Sequence, residues 1–208
     1  MKKYTLVLAL SFVLATMVWA DYNKAKELYD LGSYDEAIAE LNNILTSEPG
    51  NLGALELQMR IYRDTKKSTA YLQSAKSYAL RGGNVNYDTA WALSNLAHQI
   101  KDYQNAVFFS QICNKLNPNN HSVLNLMGVG LFYLKKYELS IVALKTATRY
   151  LPSEPTYNAN LARSYEYLSQ YKKAYYYYQQ TLKYEPSSTR AVVALNKLKT
   201  LMNNESER

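Results

Sequence analysis

Residues of the types that perform catalysis or bind metals are few in this 208-residue chain. The two histidines, His98 and His121, fall in different structural units, and no His, Cys, Asp and Glu residues cluster at metal-ligand spacing. The adjacent acids Asp35 and Glu36 fall at a helix start, where negative charge complements the helix dipole. The sequence has neither a glycine-rich phosphate loop nor a nucleophile motif. We therefore predict no enzyme, no catalytic residue, no metal and no cofactor.

Two conspicuous features are better explained by packing than by chemistry. Cys113 is the only cysteine, so it cannot form a disulfide within the chain, and we expect it to be buried against a neighbouring helix. A reactive or cross-linking thiol is the alternative. Tyr175 to Tyr178 occupy four consecutive helix positions, which point around the whole cylinder and cannot form one binding stripe. We expect these tyrosines to divide between the core and its rim.

The first twenty residues have the pattern of a secretory signal peptide. Lys2 and Lys3 form a basic segment, and the apolar stretch that follows is too short for a confident membrane span. Val18 and Ala20 are suitable small residues before a cleavage site between Ala20 and Asp21. We therefore expect an exported protein, periplasmic or secreted from a bacterial cell. An uncleaved N-terminal membrane anchor is the alternative. No later segment is apolar enough to span a bilayer.

The charge balance does not favour nucleic acid as a partner. The full chain has 24 basic and 17 acidic residues, and removal of Lys2 and Lys3 leaves 22 bases against 17 acids, a net charge of +5. This excess is spread along the chain without a dense basic run, which nucleic-acid binding would need.

The strongest signal is an internal period of 34 residues. Prolines, tyrosines and small residues each recur every 34 residues. In each of these three series, the first member precedes the second by 69 residues, which is two periods plus one residue. The series are Pro49, Pro118, Pro152 and Pro186; Tyr34, Tyr103, Tyr137 and Tyr171; and Ala37, Ala106, Ser140 and Ala174. Small residues fit a tight helix crossing, and a proline ends each unit because it cannot donate a helical hydrogen bond. Apolar residues at helical spacing complete an all-α pattern.

At these residues the chain resembles the tetratricopeptide repeat family. The matching segments are Tyr34–Ile38 with Glu48 and Pro49, Tyr103–Ala106 with Asn117–Asn120, and Tyr171–Ala174 with Glu185 and Pro186. The resemblance implies antiparallel helix pairs stacked into a right-handed superhelical solenoid with a concave groove. It also implies that the chain binds a protein or a peptide.

We predict one repeat domain at 21–203 after a signal peptide at 1–20. Its five repeats are 21–51, 52–86, 87–120, 121–154 and 155–188, followed by a capping helix at 189–203 and a disordered tail at 204–208. The repeat at 52–86 is degenerate: it lacks the terminal proline and ends in the flexible sequence at 81–84, so we expect an altered stacking angle there. On the capping helix, we expect Val192, Leu195 and Leu198 to cover the last repeat and Lys197 to face water.

In the resembled family the groove is lined mainly by the first helix of each pair. Mapping that face onto this sequence gives Tyr22, Asn23, Lys26, Glu56, Arg60, Arg63, Trp91, Asn95, His98, Asn125, Val129, Phe132, Tyr133, Asn160, Arg163 and Tyr167. Aromatic residues and arginine are typical of binding hot spots, and asparagine can pair with a peptide backbone. Trp91 is the strongest single candidate, whereas Val129 and Phe132 are as well explained by packing between repeats.

Two other roles remain open at this stage. Val129, Phe132 and Tyr133 are also compatible with a carrier whose groove closes around a small apolar ligand or lipid, and edge helices are compatible with a structural homo-oligomer. The clamp that some members of the family use for a terminal carboxylate is missing, since Leu126 and Thr156 occupy positions that need polar or basic residues. The partner, the pathway and the oligomeric state do not follow from the sequence.

Overall fold

The computed structural model describes the backbone of residues 18–206 and the side chains of residues 18–203. Most of the predicted signal peptide lies outside these residues; 18–20 belong to the first helix, α1, which covers residues 18–30. The other helices are α2 (Tyr34–Ser47), α3 (Leu52–Asp64), α4 (Ser68–Leu80), α5 (Tyr87–Gln99), α6 (Tyr103–Leu116), α7 (His121–Tyr133), α8 (Tyr137–Tyr150), α9 (Pro155–Tyr167), α10 (Tyr171–Tyr184) and α11 (Thr189–Ser206). Residues 18–206 contain no strand. The prediction of an all-α solenoid of paired helices is therefore confirmed.

The chain divides into two compact units, with the boundary between Asn84 and Val85. The first unit holds α1 to α4, and the second holds α5 to α11. In the second unit, each helix packs against the next along the chain, and α7 also contacts both α5 and α9. The first helices of successive pairs therefore lie side by side in this unit. The altered stacking angle expected for 52–86 stays a prediction.

Small residues mark the closest helix crossings. Ala37, Ala106, Ser140 and Ala174, the members of the small-residue series, are fully buried. The Ser140 hydroxyl donates a hydrogen bond to the Gly128 carbonyl at 2.8 Å. A Cβ atom on Gly128 would lie 2.5 Å from Cγ of Leu144, so α7 and α8 approach too closely for a side chain there. These contacts confirm that the small residues are required by packing.

The turns that join the two helices of each pair share a backbone conformation that was not predicted from the sequence. One residue in each turn adopts a left-handed backbone conformation, with φ between 54° and 77°: Gly32, Lys66, Lys101, Lys135 and Ser169. The next residue then donates its N–H to a carbonyl five residues earlier, as from Ser33 to Leu28 and from Asp102 to Ala97. This is the Schellman arrangement, which usually takes glycine. Since only Gly32 is a glycine, composition concealed the pattern.

Between pairs, the prolines act as predicted. Pro49, Pro118, Pro152 and Pro186 each directly follow the C-cap residue of a second helix. The pair α3–α4 lacks this proline; α4 ends at Leu80, and Gly82 beyond it has a φ of 88°. Glycine permits this left-handed conformation, so it replaces proline as the terminator here.

The final helix differs in part from its prediction. Leu195 and Leu198 are buried as expected, but Val192 is 42% exposed, and Ala191 is the buried residue beside it. The expected contact of Val192 was therefore wrong: the packed face of α11 is displaced by one residue at its start. The helix also continues to Ser206, beyond the predicted end at 203.

The packing of the cysteine and of the tyrosine run agrees with the sequence. Cys113 is fully buried, and this burial raises the pKa of its thiol to about 11. Within the run, Tyr178 is 2% exposed whereas Tyr176 is 53% exposed. The run therefore supplies both the core and its rim, and it forms no continuous stripe.

Candidate functional site

The side-by-side first helices of the second unit carry ten of the predicted site residues. Trp91, Asn95 and His98 lie on α5; Asn125, Val129, Phe132 and Tyr133 lie on α7; and Asn160, Arg163 and Tyr167 lie on α9. The structure brings several of these together across neighbouring helices. They form two groups, one aromatic and basic and the other made of amides.

The first group, which we call the aromatic–arginine cluster, consists of Tyr103, Phe132, Tyr133, Arg163 and Tyr167. The rings of Tyr103 and Tyr133 are stacked, with centroids 4.4 Å apart and planes 8° from parallel. Phe132 meets Tyr167 edge to face at 4.9 Å. The guanidinium carbon of Arg163 lies 4.2 Å from the centroid of Phe132. Both ring arrangements and the cation–π contact are favourable geometries, so the cluster is well ordered before any partner arrives.

The members of the cluster differ in how much surface they offer. Tyr133 is 45% exposed and Tyr167 is 55% exposed. Phe132, in contrast, is only 7% exposed, because it is covered by Arg163 and Tyr167. Of the two interpretations given for Phe132, its burial supports packing between repeats: Phe132 is the base of the cluster, and the arginine and the tyrosines form its surface.

The electrostatic potential at Tyr133 is positive. Its hydroxyl accepts a hydrogen bond from Arg163 at 3.4 Å. This bond, together with the positive charges of Arg163, Arg190 and Lys101, lowers the pKa of Tyr133 despite its partial burial. Three cations from different helices and turns therefore favour negative charge at this point of the surface.

The second group is a pair of amides. Asn160 Nδ2 donates to Asn125 Oδ1 at 3.0 Å, joining α9 to α7. The bond uses one donor and one acceptor, which leaves an amide N–H₂ on Asn125 and a carbonyl on Asn160 for other partners. On α5, Asn95 donates to the Trp91 carbonyl at 2.8 Å, and its side-chain carbonyl stays available in the same way.

The remaining predicted residues of α5 are packed more than expected. His98 is half-buried, and its Nδ1 lies 3.1 Å from the Ser94 carbonyl. Burial lowers the pKa of His98, and the ring meets Tyr103 edge to face at 6.0 Å. Trp91 is also half-buried, so it does not stand out as the dominant exposed aromatic. Tyr133 and Tyr167 have that property instead.

In the first unit, the two predicted arginines are paired with acids. Arg60 lies 3.9 Å from Glu56, and Arg63 lies 3.1 Å from Asp64. Lys26 is exposed on α1, whereas Tyr22 and Asn23 are half-buried, and the Tyr22 ring packs near Gly53. The arginines of this face are therefore compensated, whereas Lys26 forms no ion pair among the described residues.

Each unit also contains a cavity. The one in the first unit, of about 340 Å³, is lined largely by polar residues that bond to one another: Gln58 donates to Asn42 at 2.9 Å and Ser74 donates to Gln58 at 2.7 Å. A cavity of about 620 Å³ in the second unit lies between α9, α10 and α11. It is lined by Arg163, Glu166, Tyr167, Tyr171, Tyr178, Arg190, Lys197 and Leu201. Arg163 and Tyr167 thus belong both to the cluster and to the cavity wall.

Sequence analysis missed several of these residues. Tyr103 was identified as a member of the repeat series but not as a surface residue, and Arg190 was not singled out. Lys197 is exposed, as expected, and it also bonds to Glu166 at 2.7 Å, which was not foreseen. Arg190 and Lys197 are seven residues apart on α11, a spacing that places both on one face of a helix. That spacing could have indicated from the sequence that the two cations lie on the same face of the final helix.

Catalytic and metal-binding constellations are not found among the described residues. Residues 18–203, whose side chains are described, hold no group of three or more His, Cys, Asp and Glu side chains that could bind a metal ion. The nearest approach to a polar triad joins His121, Ser122 and Tyr157, with His121 Nδ1 2.9 Å from the Tyr157 hydroxyl. His121 Nδ1 also lies 3.3 Å from the Ser122 hydroxyl, and no carboxylate among residues 18–203 is hydrogen-bonded to this imidazole to orient it. Across the same residues, none of the helices combines the length and hydropathy that crossing a bilayer requires.

Comparisons with known proteins agree with this architecture. Residues 22–51 match the sequence model of the tetratricopeptide repeat. No curated protein matches the sequence. Among solved structures, the chain is similar to YrrB, described as a tetratricopeptide repeat protein with an unusual peptide-binding site. The identity is 17%, the TM-score is 0.56, and the match covers 84% of this chain and 89% of YrrB.

Two further structures share the fold. The first repeat domain of Spaghetti (RPAP3), bound to an HSP90 peptide, is 19% identical with a TM-score of 0.54, and the match covers 57% of this chain and 97% of that domain. A segment of MamA from Desulfovibrio magneticus, from residue 41 to the end, is 16% identical with a TM-score of 0.52, and the match covers 83% of this chain and 97% of that segment. At these identities the likeness extends to the fold. The repeat family is thus supported by a sequence match in the first unit and by the fold of the larger part of the chain.

Proposed function

We propose that this chain, with its tetratricopeptide repeat fold, binds an extended segment of a partner protein along α5, α7 and α9. The observation that carries the proposal is the aromatic–arginine cluster, in which two exposed tyrosines and Arg163 are held in place by ring stacking. Tyrosine and arginine are the residue types most often found at binding hot spots. Because stacking already restricts these side chains, a partner would lose little side-chain entropy on contact.

The amide pair supports an extended partner. Asn160 lines a cavity together with Phe132, Tyr133 and Arg163, and after bonding to each other Asn125 and Asn160 still have an amide N–H₂ and a side-chain carbonyl for a partner. A peptide backbone in extended form offers the complementary carbonyl and N–H groups whatever its side chains are. The peptide-binding site of YrrB and the HSP90 peptide bound to Spaghetti show that this fold accommodates such ligands in other proteins.

The carrier alternative is less well supported. The apolar residues that suggested it, Val129, Phe132 and Tyr133, line a cavity of about 90 Å³ together with Leu144, Asn160 and two arginines. Sites for small molecules usually have volumes of roughly 300–1,000 Å³. A lipid or cofactor would therefore need a much larger opening between α7 and α9.

We also propose that residues 1–20 direct the chain out of the cytoplasm, so that the partner is an envelope or secreted protein. The basic and apolar pattern of these residues supports export. In this setting, a non-enzymatic repeat protein would serve as an adaptor in an envelope assembly or secretion complex.

Site-specific photo-crosslinking in intact cells tests both proposals. A photoreactive phenylalanine analogue placed at Tyr133 should yield one main adduct with another protein. The same analogue at Tyr176, which is similarly exposed but lies on α10, should not. Adding Arg163→Ala should lower the adduct yield about tenfold, the effect of losing a hot-spot contact of about 1.4 kcal/mol.

The recovered chain also reports on export and assembly. An N-terminal residue of Asp21 would support a cleaved signal peptide, whereas an intact N-terminus in the membrane fraction would support the anchor. An adduct with a second copy of the chain would favour the homo-oligomer. Equal labelling from Tyr133 and Tyr176, or a yield unchanged by Arg163→Ala, would contradict the proposed site.

A further inference from the structure

The cavity between α9, α10 and α11 carries more positive than negative charge. Its wall holds Arg163, Arg190 and Lys197 but only one acid, Glu166. Tyr167, Tyr171 and Tyr178 add aromatic rings and hydroxyl groups to the same wall. A cavity with this lining suits a ligand that is negatively charged and small enough to enter between the helices.

The single acid of the cavity is already neutralised. Glu166 accepts a hydrogen bond from Lys197 Nζ at 2.7 Å and another from the Tyr178 hydroxyl at 3.1 Å. Burial and the neighbouring Glu166 raise the pKa of Tyr178, so its hydroxyl stays a neutral donor. Lys197 and Glu166 therefore compensate each other.

The two arginines of the cavity have no such partner. Neither Arg163 nor Arg190 forms an ion pair with a carboxylate anywhere in residues 18–203. Arg163 is held by the Phe132 ring and the Tyr133 hydroxyl, which fix its position without cancelling its charge. Both arginines also line the small cavity beside Tyr133 and Asn160, so the two cavities share them.

We infer that an acidic side chain of the bound segment enters this cavity and is held by the guanidinium groups of Arg163 and Arg190. The inference rests on the proposed function, because it specifies the chemical type of partner segment that the same face would bind. A carboxylate can accept paired hydrogen bonds from a guanidinium group, which a lysine ammonium cannot supply in the same geometry. The lowered pKa of Tyr133 is consistent with the same surplus of positive charge.

Selection of peptides on the purified chain tests this inference. A random peptide library would be displayed on phage, and the best binders would be resynthesised with a fluorophore for anisotropy titrations. We expect binders that contain an Asp or Glu whose replacement by Asn or Gln weakens binding about tenfold, since a charge-assisted bond contributes somewhat more than a neutral one.

Variants of the chain then locate the effect. With Arg190→Gln, the acidic peptide should bind about tenfold more weakly, while its amide counterpart should change less than about twofold. Arg149→Gln, an exposed arginine on α8 outside the cavity, is the matched control and should leave both affinities unchanged. Inorganic phosphate in excess should compete with the acidic peptide more strongly than with the amide peptide.

The possible failures are distinguishable. Binders that show no difference between acid and amide overturn the inference, and so does an Arg190→Gln variant that weakens both peptides equally. Either result leaves the proposed function standing if Arg163→Ala still weakens peptide binding about tenfold. The absence of any selected peptide overturns the proposed function and the inference together.

Discussion

Arg60 in the first unit and Arg163 in the second occupy the same position of their helices, because each is the ninth residue of a 13-residue first helix. Each also lies over an aromatic ring from the preceding first helix. Arg60 is 5.9 Å from the centroid of Tyr29, and Arg163 is 4.2 Å from that of Phe132. The repeat thus places both cations by the same rule.

Their charged neighbours differ. In the first unit, Arg60 lies 3.9 Å from Glu56, and α3 ends at Asp64, which accepts a hydrogen bond from the Tyr29 hydroxyl at 2.9 Å. In the second unit, Phe132 lies on α7 and Arg163 on α9, and these two helices end in tyrosine, at Tyr133 and Tyr167. The position in the repeat determines where a cation lies, and its neighbours determine whether that charge is available to a partner.

The largest expected effect tests the scaffold that the two units share. Ala37 and Ala174 are the fourth residues of α2 and α10, and both are fully buried. Ala37→Phe and Ala174→Phe should each lower the free energy of unfolding by about 1–3 kcal/mol, because the larger ring overpacks a tight crossing. Urea unfolding would measure this loss, with the exposed Ala39→Phe as the control. If Ala174→Phe melted like the wild type, the equivalence of the two positions would be wrong.

A smaller effect should distinguish the two units by the pH dependence of their stability. Burial lowers the folded-state pKa of His98, so the unfolded chain binds its proton more readily. Stability from this group is complete above its unfolded pKa of about 6.5 and is lost as the pH falls through the folded value. Residues 18–84 contain no histidine. Amide hydrogen exchange should therefore show the second unit weakening first on mild acidification, and His98→Gln should suppress the change; equal weakening of both units would argue against it.

The smallest effect compares two tyrosines. The hydrogen bond to Asp64 raises the pKa of Tyr29, whereas the hydrogen bond from Arg163 lowers that of Tyr133. Asp64→Asn should lower the pKa of Tyr29, and Arg163→Gln should raise that of Tyr133. Titration of ¹³C-labelled tyrosine by NMR would follow both, with Tyr→Phe variants for assignment. Shifts in the same direction would remove the electrostatic contrast between the units.

Much of the fold followed from the sequence, because the small residues, tyrosines and prolines of the repeat act locally. Ala174 must be small because two helices cross closely at that position. Pro186 ends a helix because it cannot donate a helical hydrogen bond. The site was less predictable. Placing Arg163 on a first helix needed only the period, but its availability depends on Tyr133 from the previous repeat and on Arg190 from the final helix. For Phe132 the sequence left surface contact and packing equally open, because its burial depends on Arg163 and Tyr167 lying over it.

Cys113 provides a natural reporter of motion in one repeat. Its sulfur lies 3.9 Å from the Tyr87 carbonyl, between the two helices of the pair α5–α6, and no other thiol exists in the chain. A thiol reagent reacts with the thiolate, which is scarce at neutral pH while the side chain remains buried. The labelling rate of the unmodified protein therefore measures how often this helix pair opens, and a ligand that bridges α5 to its neighbours would slow it.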